Sequence, residues 1–142
     1  MRTSTIVCAL GSLLTATFFV GCGEEEKVAT KIPGVKTGTL EQSWTIEGAK
    51  DPARCQKYRA DRMRLVILDA KGEVHATELA PCNAFQKTVE LQTDTYTGNV
   101  TFVDTAGYPV SRTLPIQQFT ILEDRKLPLA VDFTTADMTI AR

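Results

Sequence analysis

The sequence predicts an all-β domain, an antiparallel β-sandwich of about seven strands. From Thr39 onward, apolar residues recur at every second position in short runs, which is the period of a strand with one face buried. Those runs recur roughly every 10–12 residues, with Gly, Pro, Asn or Asp clusters between them. Helical patterning is confined to one short stretch, so stacked sheets are the remaining way to cover the apolar faces.

The first strand runs from Thr39 to Glu47, where Leu40, Gln42, Trp44 and Ile46 alternate with polar residues. Trp44 sits in the inward row and is expected in the core. Gly48 ends the strand, and Asp51-Pro52 supplies an N-cap and a first-turn proline for a helical turn reaching Tyr58. Arg62 to Asp69 reads as a second strand with Met63, Leu65 and Ile67 on one face, and Val66 and Leu68 partly covering the other. Ala70-Lys71-Gly72 turns it into a third strand, Glu73 to Ala80, which Pro81-Cys82-Asn83 ends. Phe85, Val89 and Leu91 mark a fourth strand, and Thr95 to Val103 a fifth with Tyr96, Val100 and Phe102 inward. A sixth covers Val110 to Leu122, where Pro115 argues for an edge position or a bulge. The last, Lys126 to Phe133, alternates Leu127, Leu129, Val131 and Phe133.

Ahead of this domain the chain reads as an export address. Residues 1–21 hold Arg2, an apolar run from Ile6 to Val20 and the small Gly21, the parts of a signal peptide. A run of about 15 residues is short for bilayer crossing. It stops at Val20-Gly21-Cys22, which resembles a lipobox, with Phe19 in place of the usual leucine. That resemblance implies a diacylglycerol thioether on Cys22, cleavage before it and further acylation of the freed amine. The alternatives are a plain secretory signal with Cys22 an incidental thiol, and an uncleaved anchor. Residues 22–38 then read as the lipidated cysteine and a flexible tether, with Glu24-Glu25-Glu26, scattered lysines and an Ile32-Pro33-Gly34 break. Roughly 16 residues of this kind have an end-to-end distance of about 20–25 Å. The sandwich is expected over 39–134, and 135–142 as a C-terminal tail.

The mature chain is long enough for a single core. Removing Arg2 from the 16 basic residues leaves 15 against 17 acidic ones, so nothing attracts nucleic acid in general. Cys8 leaves with the signal and Cys22 carries lipid, which leaves Cys55 and Cys82 in the folded part. In an oxidising compartment two such cysteines pair, closing a loop worth about 3.6 kcal/mol by the chain-entropy relation. Two buried thiols and a redox pair are the alternatives, the latter without the close Cys-x-x-Cys spacing that redox chemistry favours.

Ser43-Trp44-Thr45-Ile46, the spaced Cys55 and Cys82, and Thr95-Tyr96-Thr97 leading into Phe102-Val103-Asp104-Thr105-Ala106-Gly107 together resemble the small uncharacterised lipoproteins abundant in myxobacteria. They are also similar to immunoglobulin-like and transthyretin-like sandwich modules. The resemblance implies a sandwich and an envelope protein, and assigns no functional residue besides Cys22. Gly23 after that cysteine fits an outer-membrane address, because the retention signal known from enteric lipoproteins is an Asp there.

Successive antiparallel strands reverse direction, so alternate connections share an end. The 49–61, 80–84 and 104–109 connections are therefore expected together, opposite the tether. They carry Lys50, Arg54, Lys57, Tyr58, Arg59, Asn83 and Tyr108, a basic and aromatic group that suits an acidic protein partner or an anionic envelope glycan. The bland reading of the same residues is solubility and loop packing. No catalytic constellation stands out. His75 is the only histidine, so a His-based triad or the usual histidine-containing zinc sites lack a second imidazole. Asp51, Asp61, Asp94, Asp104 and Glu123 offer carboxylates without a spacing that singles out a glycosidase pair, and no EF-hand pattern marks a calcium loop. Asn99-Val100-Thr101 matches a glycosylation sequon but lies in a strand pattern. The expectation is a non-enzymatic lipoprotein with no metal and no cofactor beyond the covalent lipid on Cys22. It would be an accessory or adaptor subunit of an envelope assembly, or alternatively a glycan- or small-ligand-binding module.

Overall fold

The structure is a computed structural model that describes residues 34–138. The expected signal peptide, Cys22 and the tether up to residue 33 lie outside the described residues, as do residues 139–142. Seven strands form two sheets: β1 (Thr37–Ile46), β2 (Arg62–Leu68), β3 (Val74–Pro81), β4 (Gln86–Gln92), β5 (Thr95–Val103), β6 (Leu114–Thr120) and β7 (Lys126–Phe133). A short helix, α1 (Pro52–Lys57), and a 3-10 turn at Cys82–Ala84 occupy connections, and α2 (Thr135–Met138) follows the last strand.

Alternation is the cause of the layering. In β1 and β2 every second side chain is buried, so Leu40, Trp44 and Ile46 meet Met63, Leu65 and Ile67 between the sheets. Tyr96, Val100 and Phe102 of β5 and Phe133 of β7 complete the centre, with the Phe102 and Phe133 rings 4.5 Å apart. Fully burying one such aliphatic or aromatic side chain contributes about 1.5–3 kcal/mol. The strand orders are β4-β1-β7 and β3-β2-β5-β6. Pro115 stands on β6, an edge strand, where a missing ladder donor is tolerated.

The all-β sandwich is as expected, but one of its pairs is not antiparallel. β7 lies parallel to β1, with Thr39 opposite Lys126 and Ile46 opposite Phe133. The strands reverse direction at each connection, so odd-numbered strands all point one way, and two odd strands placed side by side must be parallel. Parallel neighbours need a long crossover, and here the whole intervening chain serves as one.

Other boundaries also differ from the sequence reading: β6 covers only Leu114–Thr120 of the strand expected from Val110 to Leu122. Thr37 and Gly38 are the start of β1 and not the end of a tether, and the Lys36 carbonyl accepts from Thr93 N at 2.9 Å. Gly38 reads as a break in sequence, yet it is buried because the 121–125 turn crosses directly over it. A Cβ there would lie 2.1 Å from the Leu122 carbonyl oxygen and 3.0 Å from that of Arg125. At the other terminus the tail expected from 135 begins as α2, whose Met138 is 4% exposed and joins the core. Asp137 caps that helix by accepting from Thr134 N and Oγ1, and its carbonyl receives Arg112 N at 2.7 Å.

The nearest atom, the Leu122 carbonyl oxygen, is main chain and cannot swing aside, and the Ile121 Cγ2 at 2.9 Å and the Arg125 carbonyl crowd the same point. Gly38→Ala should therefore lower the unfolding free energy by about 1–3 kcal/mol, read as a lower urea midpoint with an unchanged slope. A variant as stable as the parent would show that the 121–125 turn yields freely.

Candidate functional site

The connections expected to share an end do so, and the Cys55–Cys82 disulfide joins two of them with Cα atoms 6.0 Å apart. α1 presents Cys55 because Asp51 caps its start, accepting from Ala53 N at 2.9 Å, and Pro52 fits the first turn. Cys82 opens the 3-10 turn after β3. Its N–H donates to the Asp61 carbonyl at 2.8 Å, and its own carbonyl accepts from Trp44 Nε1 at 2.9 Å. The core tryptophan thus has its polar atom satisfied by the disulfide loop, the usual condition for burying an indole.

The basic and aromatic residues of this end do not form one patch. Glu47 gathers half of them. It sits at a two-residue turn with Gly48, both at positive φ, closed by reciprocal Ile46 and Ala49 main-chain bonds. Its carboxylate accepts from the Tyr58 hydroxyl, from Thr135 Oγ1 at 3.0 Å and from Lys57 Nζ at 3.2 Å, and pairs with Arg54 Nη1 at 3.2 Å. Arg54 also donates to the Ile46 and Glu47 carbonyls, each at 2.6 Å. Arg54, Lys57 and Tyr58 are therefore engaged within the fold, with the Lys57 ammonium 4.6 Å from the Tyr58 ring centre. These partners hold the Glu47 carboxyl down at about 2, Tyr58 contributing most, then Thr135 and Lys57. The Tyr58 and Glu47 contacts hold Lys57 above its ordinary value. Nothing in the sequence marked Glu47 as a hub, because alternation places it as one more outward polar residue of β1.

Arg59 and Asn83 lie elsewhere, in an open groove of about 570 Å³. Pro52, Gln56 and Asp61 line it from the α1 side, and Asp104 and Thr105 from the β5 exit, with the disulfide as part of its surface. Asp61 N donates to the Val103 carbonyl at 2.9 Å and Arg62 reaches the Thr105 carbonyl at 3.2 Å, which fixes these walls to one another. Arg62 Nε also pairs with Asp61 at 3.0 Å. Asp104 Oδ1 accepts from Ala106 N and Tyr108 N, which shapes the turn that leaves Tyr108 70% exposed. Arg59 holds a left-handed backbone at φ 56, a conformation that costs a non-glycine residue about 1 kcal/mol or more. Lys50 is exposed before α1 and lines no part of the groove.

Of the scattered carboxylates, Asp61 and Asp104 reach the groove, Asp51 caps α1, and Asp94 and Glu123 stand at the tether end beside Thr95 N and Lys36. His75 is exposed on β3 with its ring 5.1 Å from that of Tyr96. Among the described residues no three His, Cys, Asp or Glu side chains gather as a metal site, and no helix is long and apolar enough to cross a membrane. The groove carboxylates Asp61 and Asp104 were visible in the sequence only as members of an unsorted set.

No protein-family model and no curated protein matches the chain. Among solved structures it is similar to a leucine-rich repeat protein from Bacteroides thetaiotaomicron, at 11% identity and a TM-score of 0.48, covering 70% of this chain and 12% of that one. It is also similar to GBS52, the minor pilin of Streptococcus agalactiae, at 9% identity and a TM-score of 0.46, covering 76% of this chain and 48% of that one. The chain thus spans less than half the length of either.

Replacing both Cys55 and Cys82 by Ala should cost about 3.6 kcal/mol, with amides of 52–60 and 82–85 losing exchange protection ahead of the strands. Glu47 makes a second prediction. Its carboxyl ionises at about 2 when folded against 4.5 ordinarily, so its contribution is complete above about pH 4.5 and fades as pH falls from there toward 2. Glu47→Gln should flatten the acid limb of a stability-against-pH curve over that window. Asp69 and Asp137, also held below the ordinary carboxylate range by backbone and Thr134 hydrogen bonds, leave a residual slope. An unchanged limb in the variant would sink this account.

Proposed function

We propose that the protein is a non-enzymatic lipoprotein of the cell envelope, anchored through lipid on Cys22 at the outer membrane, whose disulfide-pinned end binds an envelope polysaccharide. The groove is the observation that carries this reading. It has the size and convergent polar lining of a small-ligand site. Its guanidinium, amide and carboxylate groups offer both donors and acceptors, as a run of sugar hydroxyls requires. Asp61 and Asp104 outnumber Arg59 among the charged groove residues, and Arg54 and Lys57 are occupied by Glu47, so an uncharged glycan fits better than an anionic one. The disulfide limits the entropy lost when these loops meet a ligand. β1 separates the groove from the point where the tether enters, a distance of about 30 Å over ten residues.

A second reading rests on Tyr108, an aromatic side chain 70% exposed in the turn that also bears Asp104. An exposed tyrosine on a rigid loop suits an accessory or adaptor subunit docking another envelope protein.

Retention on immobilised cell-wall polysaccharide tests the first reading. Arg59→Gly should reduce retention about tenfold while raising stability by about 1 kcal/mol through relief of its left-handed backbone. Asn83→Ala should reduce retention without changing stability. If both variants bind as the parent does while Tyr108→Ala loses a partner crosslinked in cells, the adaptor reading replaces the glycan one.

A further inference from the structure

The groove at the disulfide end has an apolar centre set among hydrogen-bonding groups. Two short stretches build much of it, Arg59-Ala60-Asp61 and Pro81-Cys82-Asn83, and the Cys82 N–H donating to the Asp61 carbonyl at 2.8 Å holds them side by side. Ala60 N donates to the Cys55 carbonyl at 2.9 Å, which brings the disulfide against Ala60. Ala60, Cys55 and Cys82 are buried and form the floor, and the exposed Pro52 and Pro81 stand beside them.

This apolar surface is small and saturated. A plain sugar ring buries its C–H face best against a broad, flat aromatic surface, and among the described residues no aromatic ring lines the groove. Proline, alanine and a disulfide fit a smaller apolar group, the size of a methyl. The polar groups around them are open to a ligand. Among the described residues no partner engages the side chains of Arg59 and Asn83. Asp104 spends Oδ1 on Ala106 N and Tyr108 N, which leaves Oδ2 as an acceptor. An acetamido group carries the matching set in one planar unit: a methyl, a carbonyl that accepts and an N–H that donates. A sugar hydroxyl in its place has no apolar part to cover the floor.

We propose that the groove selects an N-acetylated sugar, one bearing an acetamido group where a plain hexose has a hydroxyl. The methyl lies against Pro52, Pro81 and the disulfide, Asn83 donates to the acetyl carbonyl, and Asp104 accepts from the N–H. This rests on the polysaccharide reading and narrows it to a class of sugar.

The test compares chitotetraose with cellotetraose, which share backbone and linkage and differ only in the acetamido group. Both are titrated by NMR against the native protein in a zwitterionic detergent, which carries no sugar. Chitotetraose should bind about twentyfold more tightly, the combined worth of one buried methyl and one hydrogen bond. Saturation transferred from the protein should be strongest at its acetyl methyls. Asn83→Asp, an exposed change of equal size that removes the donor, should weaken chitotetraose about fivefold and leave cellotetraose as it was. Equal affinity for the two sugars in the groove would overturn the acetamido assignment and leave polysaccharide binding intact. Binding of neither at millimolar concentration would also overturn it, and retention on immobilised polysaccharide then shows whether the wider reading survives.

Discussion

The fastening of Cys82 is the constraint on which the disulfide end of the sandwich depends. Its sulfur is bonded to Cys55, its carbonyl accepts from the Trp44 indole, and its N–H donates to Asp61. One residue thus joins α1, the centre of the core and the start of β2. Each of these attachments has an apolar or loop-closing reason of its own, and together they leave the groove walls little freedom relative to the sheets. The covalent bond and the buried indole hold these loops in place against the sheets.

Strict reversal of direction at each strand accounts for the rest of the architecture. It brings the connections after β1, β3 and β5 to one end, and makes β7 parallel to β1 because both are odd members of the series. The same arrangement gives each sheet its own edges. Where β3 and β4 meet, an ion pair bridges them, whereas β6 and β7 leave a cleft between the sheet edges. At the opposite corner Glu47 compensates for its own strained turn by collecting a lysine, an arginine, a tyrosine and a threonine from α1 and α2. It thereby consumes cations that would otherwise have made this end a basic surface.

Much of the fold was legible in the residues. The spans Thr95–Val103 and Lys126–Phe133, the inward rows of β1, β2 and β5, the Asp51-Pro52 helix start and the edge position of Pro115 all follow from local chemistry. The disulfide was legible too, once two of the four cysteines are assigned to export and anchoring. Gly38 falls just before the alternation that begins at Thr39, and only the overlying Leu122 and Arg125 carbonyls explain its place inside a strand. The arrangement of the candidate patch was half legible. Sequence adjacency brought Arg54, Lys57, Tyr58 and Arg59 together, but a helical turn points successive residues in different directions, toward Glu47 for three of them and into the groove for the fourth.

By itself the sequence determined the strands, their inward faces, the sandwich class and the pairing of connections at one end, because these depend on period-two alternation and chain reversal, both properties of neighbouring residues. Only the tertiary structure decided which strands lie side by side, that β7 runs parallel to β1, that Glu47 engages Arg54, Lys57 and Tyr58, and that Gln42 is left with an unsatisfied buried carbonyl. Those outcomes depend on contacts between residues far apart in the chain, such as Glu47 with Thr135 and Gln42 with the edges of β6 and β7. Such contacts follow from how two sheets close over one another, which no local pattern of residues encodes.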